Sequence, residues 1–208
     1  TFPVPRSGLG VFPFLRPGMA YANATRIPGD AADAWQLTRG EIEGRRQIHA
    51  LAAWLRANAP GYENCYVQTT APQVGLRETR RLVGLYTLTR DDVLGYRRFD
   101  DDVALNAYGI DIHYNDARSE MTWLETGQCH GIPYRCLVPT ERDGLLAAGR
   151  CISADHDALG AVRVMATGLA TGHAAGVAAA LATVQGRRPR DLDAHDVRAT
   201  LREQNAVL

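Results

Sequence analysis

Apolar residues recur at helical spacing in three stretches of the chain. Ile48, Leu51, Ala52 and Leu55 follow Thr38-Arg39-Gly40-Glu41, where a hydroxyl stands three residues before a carboxylate, as in a capping box. With Asn58 and Pro60 as stops, the pattern predicts a helix over 39–58. A long run of small and apolar residues predicts a helix over 160–184, ended by Gly186 and the basic Arg187, Arg188 and Arg190. Asp193 opens a last helix over 194–204, with Val197 and Leu201 inward. The helix-start signal of Thr89 to Asp92 predicts a short helix over 90–96, and the residues after it a second over 100–107.

Between these, β-forming residues predict strands at Tyr62–Thr70, Arg80–Leu88, Ile132–Val138 and Gly144–Ala148. Pro133 puts the third of these at a sheet edge. Ile110 to Tyr114 alternates apolar with polar, as a half-exposed strand does, and 115–130 reads as loop. Prolines at 3, 5, 13, 17 and 28 make residues 1–30 an irregular arm.

Charge removes several partner classes. Twenty-three basic residues balance twenty-three acidic ones, so electrostatics favour neither nucleic acid nor an anionic membrane. Every basic residue of that set is Arg, which rules out a Schiff-base or phosphate-loop lysine. The apolar run Ala174–Val184 is too short to span a bilayer. Cys65, Cys129, Cys136 and Cys151 have no knuckle spacing and read as scattered reduced thiols. With no signal-peptide pattern at the start, the expected compartment is the cytoplasm.

Candidate chemistry gathers in Gly144–Gly176. A strand there runs into Gly149 and a polar loop, and then a helix of small residues follows. Gly168, Gly172 and Gly176 repeat every four residues along one face. Each glycine costs a helix about 1 kcal/mol relative to alanine, so close approach of something must offset it. Close packing on protein and contact with a ligand both answer that description. A polar loop between strand and helix is where open α/β sheets bind ligands, and it carries His156. Ser153, Asp155 and His156 are too close in sequence for a nucleophilic triad, and no G-x-S-x-G is present. Gly144 to Gly149 has a phosphate-loop gap, but Arg150 and Cys151 replace the required Lys and Ser/Thr. Neither G-x-G-x-x-G nor H-E-x-x-H occurs. Arg77 and Arg80 open a charged segment; either could hold a substrate carboxylate or stabilise a developing negative charge.

The blocks GLRETRRLVGLYTLTRDDVL, GIPYRCLVP and LLAAGRCISADHDALGAVRVMATGLATGHAAGVAAALA resemble, in that order, the C-terminal part of the FAD-dependent oxidoreductases. These belong to the two-dinucleotide-binding-domain flavoproteins that include fumarate reductases. The likeness covers residues 75–182, and the last block is the most specific. It implies a mixed α/β (α+β) chain: substrate or cap domain over 1–137, then a closing strand and long helix of the FAD domain over 138–208. It implies FAD as cofactor, with Gly149, Arg150, Cys151 and Ile152 lining it and Val164, Met165 and Ala166 near the ring. A helix dipole aimed at the flavin N1–O2 edge stabilises the anionic reduced ring. His156, Arg77 and Arg80 are then the catalytic candidates toward a small-molecule substrate.

The family's N-terminal dinucleotide motif is absent from these residues. The expectation is therefore a fragment whose FAD-binding half lies on the same or a separate chain, in an assembly compatible with a homo-oligomer. A docking module whose small-residue helix packs on a partner subunit is the competing class. A metal-dependent hydrolase using Cys129, His130 and His156 is a third, with Cys136 as a further thiol beside the first two; no metal is expected.

Overall fold

The computed structural model describes residues 2–6, 8–114 and 118–208. The chain divides into two compact units, Thr1–Leu76 with His113–Ser119, and Arg77–Ile112 with Glu120–Leu208. The sequence-based boundary at 137/138 falls inside the second unit. The class is mixed α+β, with short antiparallel strands in small sheets.

In the first unit, the proline-rich arm contains a hairpin. Strands β1 (Gly10–Pro13) and β2 (Ala20–Asn23) pair antiparallel from Gly10↔Asn23 to Pro13↔Ala20. Proline is tolerated here because Pro13 ends its strand, where no ladder donor is needed. Helix α1 runs Ala34–Asn58 and begins a turn before the predicted start. Asp33 is the cap, accepting the Trp35 and Gln36 N–H groups. Thr38 lies inside the helix, its hydroxyl donating to the Ala34 carbonyl. Val4, Ala24 and Leu51 form the core of this unit, with Phe2 and Leu9 against them. Buried Gln47 accepts the Arg26 N–H and donates to its carbonyl, a side-chain amide doing a strand's pairing. Residues 62–70 form no strand.

The second unit holds helices α2 (Arg90–Leu94), α3 (His156–Val162), α4 (Met165–Gln185) and α5 (Ala194–Glu203). Its strands are β3 (Asp102–Asn106), β4 (Ile110–His113, whose last residue groups with the first unit), β5 (Ser119–Thr122, whose first does) and β6 (His130–Pro133). β3 pairs antiparallel with β6, with a bulge between Asp102 and Ala104. α4 lies on β3 and is covered on one side by α5. Leu88, Ile110, Ile132, Leu137, Ile152, Leu159 and Leu201 are fully buried.

Several predicted elements change type here. The helix expected over 100–107 contains β3; Val103 and Ala104 are buried, Ala104 pairs with Ile132 of β6, and this pairing decides an apolar run that fits either period. Residues 115–130, read as loop, contain β5. The strand expected to Val138 stops at Pro133 and turns into a 3-10 segment, Tyr134–Cys136. Arg80–Leu88 forms no strand; it bends at Leu85 and Tyr86 and runs between two neighbours rather than in one sheet. Leu82 and Leu88 N–H bond the Cys151 and Ser153 carbonyls, while Leu85 N–H bonds Val138. Only isolated bridges result, Gly84↔Pro139 and Leu88↔Ala154. Gly144–Ala148 is likewise no strand: its single pairing is Ala147 N–H to Leu137, and Leu145 is half exposed.

The helix expected over 160–184 is two helices. Arg163 caps α3 and Val164 leaves the helix at ψ 156° before α4 begins. Neither proline nor glycine stands at the break. Arg163 is instead tied to β4, its Nη2 donating to the Asp111 carbonyl at 2.8 Å and Oδ2 at 3.0 Å. Gly160 comes so close to the Asp111 backbone that a Cβ there would lie 3.0 Å from its oxygen.

Candidate functional site

Residues 77–81 lie against α3 and reach both its ends. At the first, Glu78 accepts from His156 Nδ1, at 3.1 Å through Oε1 and 3.0 Å through Oε2, and also pairs with Arg81. In a neutral ring, a carboxylate on Nδ1 places the proton there and leaves Nε2 as the acceptor. At the other end, Asp111 Oδ2 takes Arg77 Nη1 at 3.2 Å and Arg163 Nη2 at 3.0 Å. Burial, and then the nearby Arg77 charge, push the Arg163 guanidinium below its ordinary range. Arg90 is paired to Asp157 at 2.9 Å. Arg80 is exposed and makes no hydrogen bond among the described residues, so it does not join this group.

The structure therefore ties His156, through Glu78, and Arg77, through Asp111 and Arg163, to the two ends of α3 and leaves Arg80 out of the group. Arg163 was missed by sequence reasoning. Its signal was a lone cation inside an otherwise apolar run.

Gly149–Cys151 is a 3-10 turn, with Gly149 at φ 70°, a conformation side chains rarely adopt. Its N–H donates to Thr171 Oγ1 at 2.9 Å, and Thr171 donates on to the Thr167 carbonyl. Gly149 meets Gly168: a Cβ on either would lie 3.9 to 4.0 Å from the other's Cα. That is ordinary contact, so packing does not demand glycine at 168, nor at Gly172 and Gly176, where an added Cβ meets nothing within 4 Å. Arg150 and Cys151 are exposed, whereas Ile152 is fully buried and can offer a ligand only its backbone. Val164 is half-buried, Ala166 exposed, and Met165 is 87% exposed.

The first turn of α4 has no side-chain cap, because Val164 carries no acceptor. Its leading N–H groups and the positive end of a 21-residue helix dipole lie without a side-chain cap next to exposed, apolar Met165 and Leu169. An apolar ring edged with acceptor atoms matches that surface, and the Cβ-free turn at Gly149 admits close backbone approach. These residues therefore fit a flavin. By length and composition α4 would also cross a membrane, but Thr167, Thr171, Ala174 and Ala178 are packed inside.

Behind α4, His130 is wholly buried and was read as loop. Its Nε2 accepts from Asn106 at 3.0 Å, and Nδ1 lies 3.1 Å from the Gly131 carbonyl. Asn106 in turn accepts the Thr167 hydroxyl at 2.8 Å, which fastens the first turn of α4 to β3. Burial holds the imidazole below its usual range, hence neutral. Both ring nitrogens are engaged, so His130 is not free for the hydrolase reading. Among the described residues no group of three His, Cys, Asp or Glu could hold a metal ion. Cys136 is buried, and its thiol is pushed up to about 12.

Because Gly172 is exposed and its missing Cβ has open space, Gly172→Ala should raise stability by about 1 kcal/mol. Thermal unfolding checks this.

A family model described as FAD dependent oxidoreductase matches residues 3–201. Neither a curated protein nor a solved structure matches the chain.

Proposed function

Because the chain belongs to the FAD-dependent oxidoreductase family, we propose that its turn at 149–152 and the start of α4 hold the flavin end of FAD, while His156 and Arg77 meet a small substrate. The carrying observation is the uncapped, apolar-edged N-terminus of α4 set against a glycine turn. Gly149, Arg150 and Cys151 would approach the cofactor, Ile152 through its main chain alone. Val164, Met165 and Ala166 would meet the ring. Bound flavin supplies a two-electron acceptor for hydride.

The protein's own residues do the rest. The α4 N–H groups stabilise negative charge at the helix start. Thr167, through Asn106 and His130, keeps that turn fixed on β3. His156, oriented by Glu78, offers Nε2 to a substrate proton. Arg77 holds the substrate by charge.

Equilibrium dialysis of the purified chain against FAD tests this. Saturable binding is expected, and it should weaken at least tenfold in Gly149→Val, whose Cβ cannot take φ 70° without strain. No saturable uptake of FAD, or equal uptake by the variant, would overturn the assignment.

A further inference from the structure

We infer that Tyr108 and Trp123 form an aromatic corner beside the start of α4 that receives a flat aromatic ring of the substrate. This rests on the flavoenzyme reading for its part in the reaction, whereas the corner is built by the chain alone. The two rings stand 5.7 Å apart between centroids and nearly perpendicular, at 80°.

Tyr108 lies between β3 and β4, and Trp123 directly follows β5. β4 and β5 are neighbours in one sheet. Gly109 lets the residues beside these strands close up. A Cβ there would lie 2.3 Å from the Thr122 oxygen and 2.9 Å from the Trp123 Cα, so any side chain would drive the two ring-bearing segments apart. Asn106 then fixes the corner to α4. Its amide donates to the Tyr108 carbonyl at 2.9 Å and to His130 Nε2 at 3.0 Å, while its Oδ1 accepts the Thr167 hydroxyl at 2.8 Å. One buried side chain thus holds both the turn that carries Tyr108 and the first turn of α4. The Tyr108 hydroxyl is also close enough to Arg163, the cap of α3, to act on it by charge.

The rings spend little of their surface on this chain: Trp123 is 68% exposed and Tyr108 half-buried. Apolar side chains scattered over a surface are ordinary. Two rings held at a right angle across a glycine, by the amide that anchors α4, are a prepared surface. Aromatic rings prefer offset stacking or edge-to-face contact, and a corner offers both at once. A saturated ring of the same size gains neither. A quaternary ammonium group is unsuited, because the charge that the Tyr108 hydroxyl reaches is the Arg163 cation.

The experiment titrates p-cresol and indole into the purified full chain, with cyclohexanol and tetramethylammonium at the same concentrations. Saturation-transfer NMR reads the bound fraction. Saturable binding of both aromatic compounds is expected. It should weaken about tenfold in Trp123→Ala and in Tyr108→Leu, and persist in Trp35→Ala, whose ring is 76% exposed in the other unit. Trp123 buries little, so Trp123→Ala, with its fold checked by circular dichroism, is the decisive variant.

Aromatic binding that Trp123→Ala retains, no saturable binding, equal binding of cyclohexanol, or tighter binding of tetramethylammonium would each overturn the inference. So would displacement of p-cresol by FAD, since substrate and cofactor take different places. Flavin uptake measured on the same samples separates the two readings. Chain that takes FAD but ignores aromatic compounds sinks this one alone. Chain that takes no FAD but binds p-cresol through Trp123 sinks the flavin assignment alone.

Discussion

Gly131→Ala should lower the unfolding midpoint by about 10 °C or prevent folding. Gly131 sits in β6 opposite Leu105 of β3, and its backbone angles suit any residue. The obstacle is space. A Cβ built there lies 1.8 Å from Asp102 Oδ1 and 2.1 Å from Cγ and Oδ2. Asp102 cannot step aside cheaply. Its side chain is 1% exposed, and Oδ2 is held by Arg98 Nε at 2.8 Å. Making room would either break that pair and strand a buried carboxylate or open the β3–β6 ladder. Overpacking costs about 1–3 kcal/mol, and separating a buried ion pair about 3–5. A total near 4 kcal/mol corresponds to about 10 °C in a chain of this size. Circular dichroism melting of the variant checks it; a shift under about 3 °C would show that Asp102 relocates freely. The contrast with Gly172, where the same methyl group should stabilise, makes the pair a test of local space rather than of glycine as such.

Asp92→Ala should cost about 3 kcal/mol. The Asp92 side chain is 2% exposed and gathers four donors. Oδ2 accepts the Tyr86 hydroxyl at 2.8 Å, the Thr89 N–H at 3.0 Å and the Thr89 hydroxyl at 2.9 Å; Oδ1 accepts Arg97 Nη1 at 2.9 Å. Alanine would leave the Thr89 and Tyr86 groups without their acceptor and undo the capping box of α2. Burial raises the Asp92 carboxyl, but the hydrogen bonds from Thr89, Tyr86 and Arg97 outweigh it and leave the group below its ordinary 3.8. A carboxyl depressed in the native state adds stability above its unfolded value and loses it as pH falls through the native one. The gap between parent and Asp92→Ala should therefore be full at neutral pH and narrow below about pH 4. Urea melts at pH 7 and pH 3 measure it; a gap that stays constant between them would sink the account.

Local signals were legible where one or two residues decide the outcome. Asp193 caps α5, with Val197 and Leu201 buried as their spacing implies. Thr89 and Asp92 form the capping box that starts α2. The alternation at Ile110–His113 is a strand with Ile110 and Ile112 buried. Legibility ended where distant partners decide. β3 is a strand because β6 lies beside it, and α3 stops at Arg163 because Asp111 holds that side chain. Thr38 and Glu41 have a cap's spacing, yet Asp33 accepts the first-turn donors a turn earlier. At the site, the glycine turn and His156 could be found from the sequence. The pairing of His156 with Glu78, and the meeting of Arg77 and Arg163 over Asp111, needed the folded chain.

One adjacency constrains how this protein can diversify. Arg77 and its immediate neighbour Glu78 serve opposite ends of the same short helix. Each residue added to extended chain displaces the downstream backbone by roughly 3.4 Å. An insertion or deletion between them would put one of the two partners out of reach whichever way the backbone adjusted. That stretch is fixed in length, and a new specificity must arise there by exchange of residues.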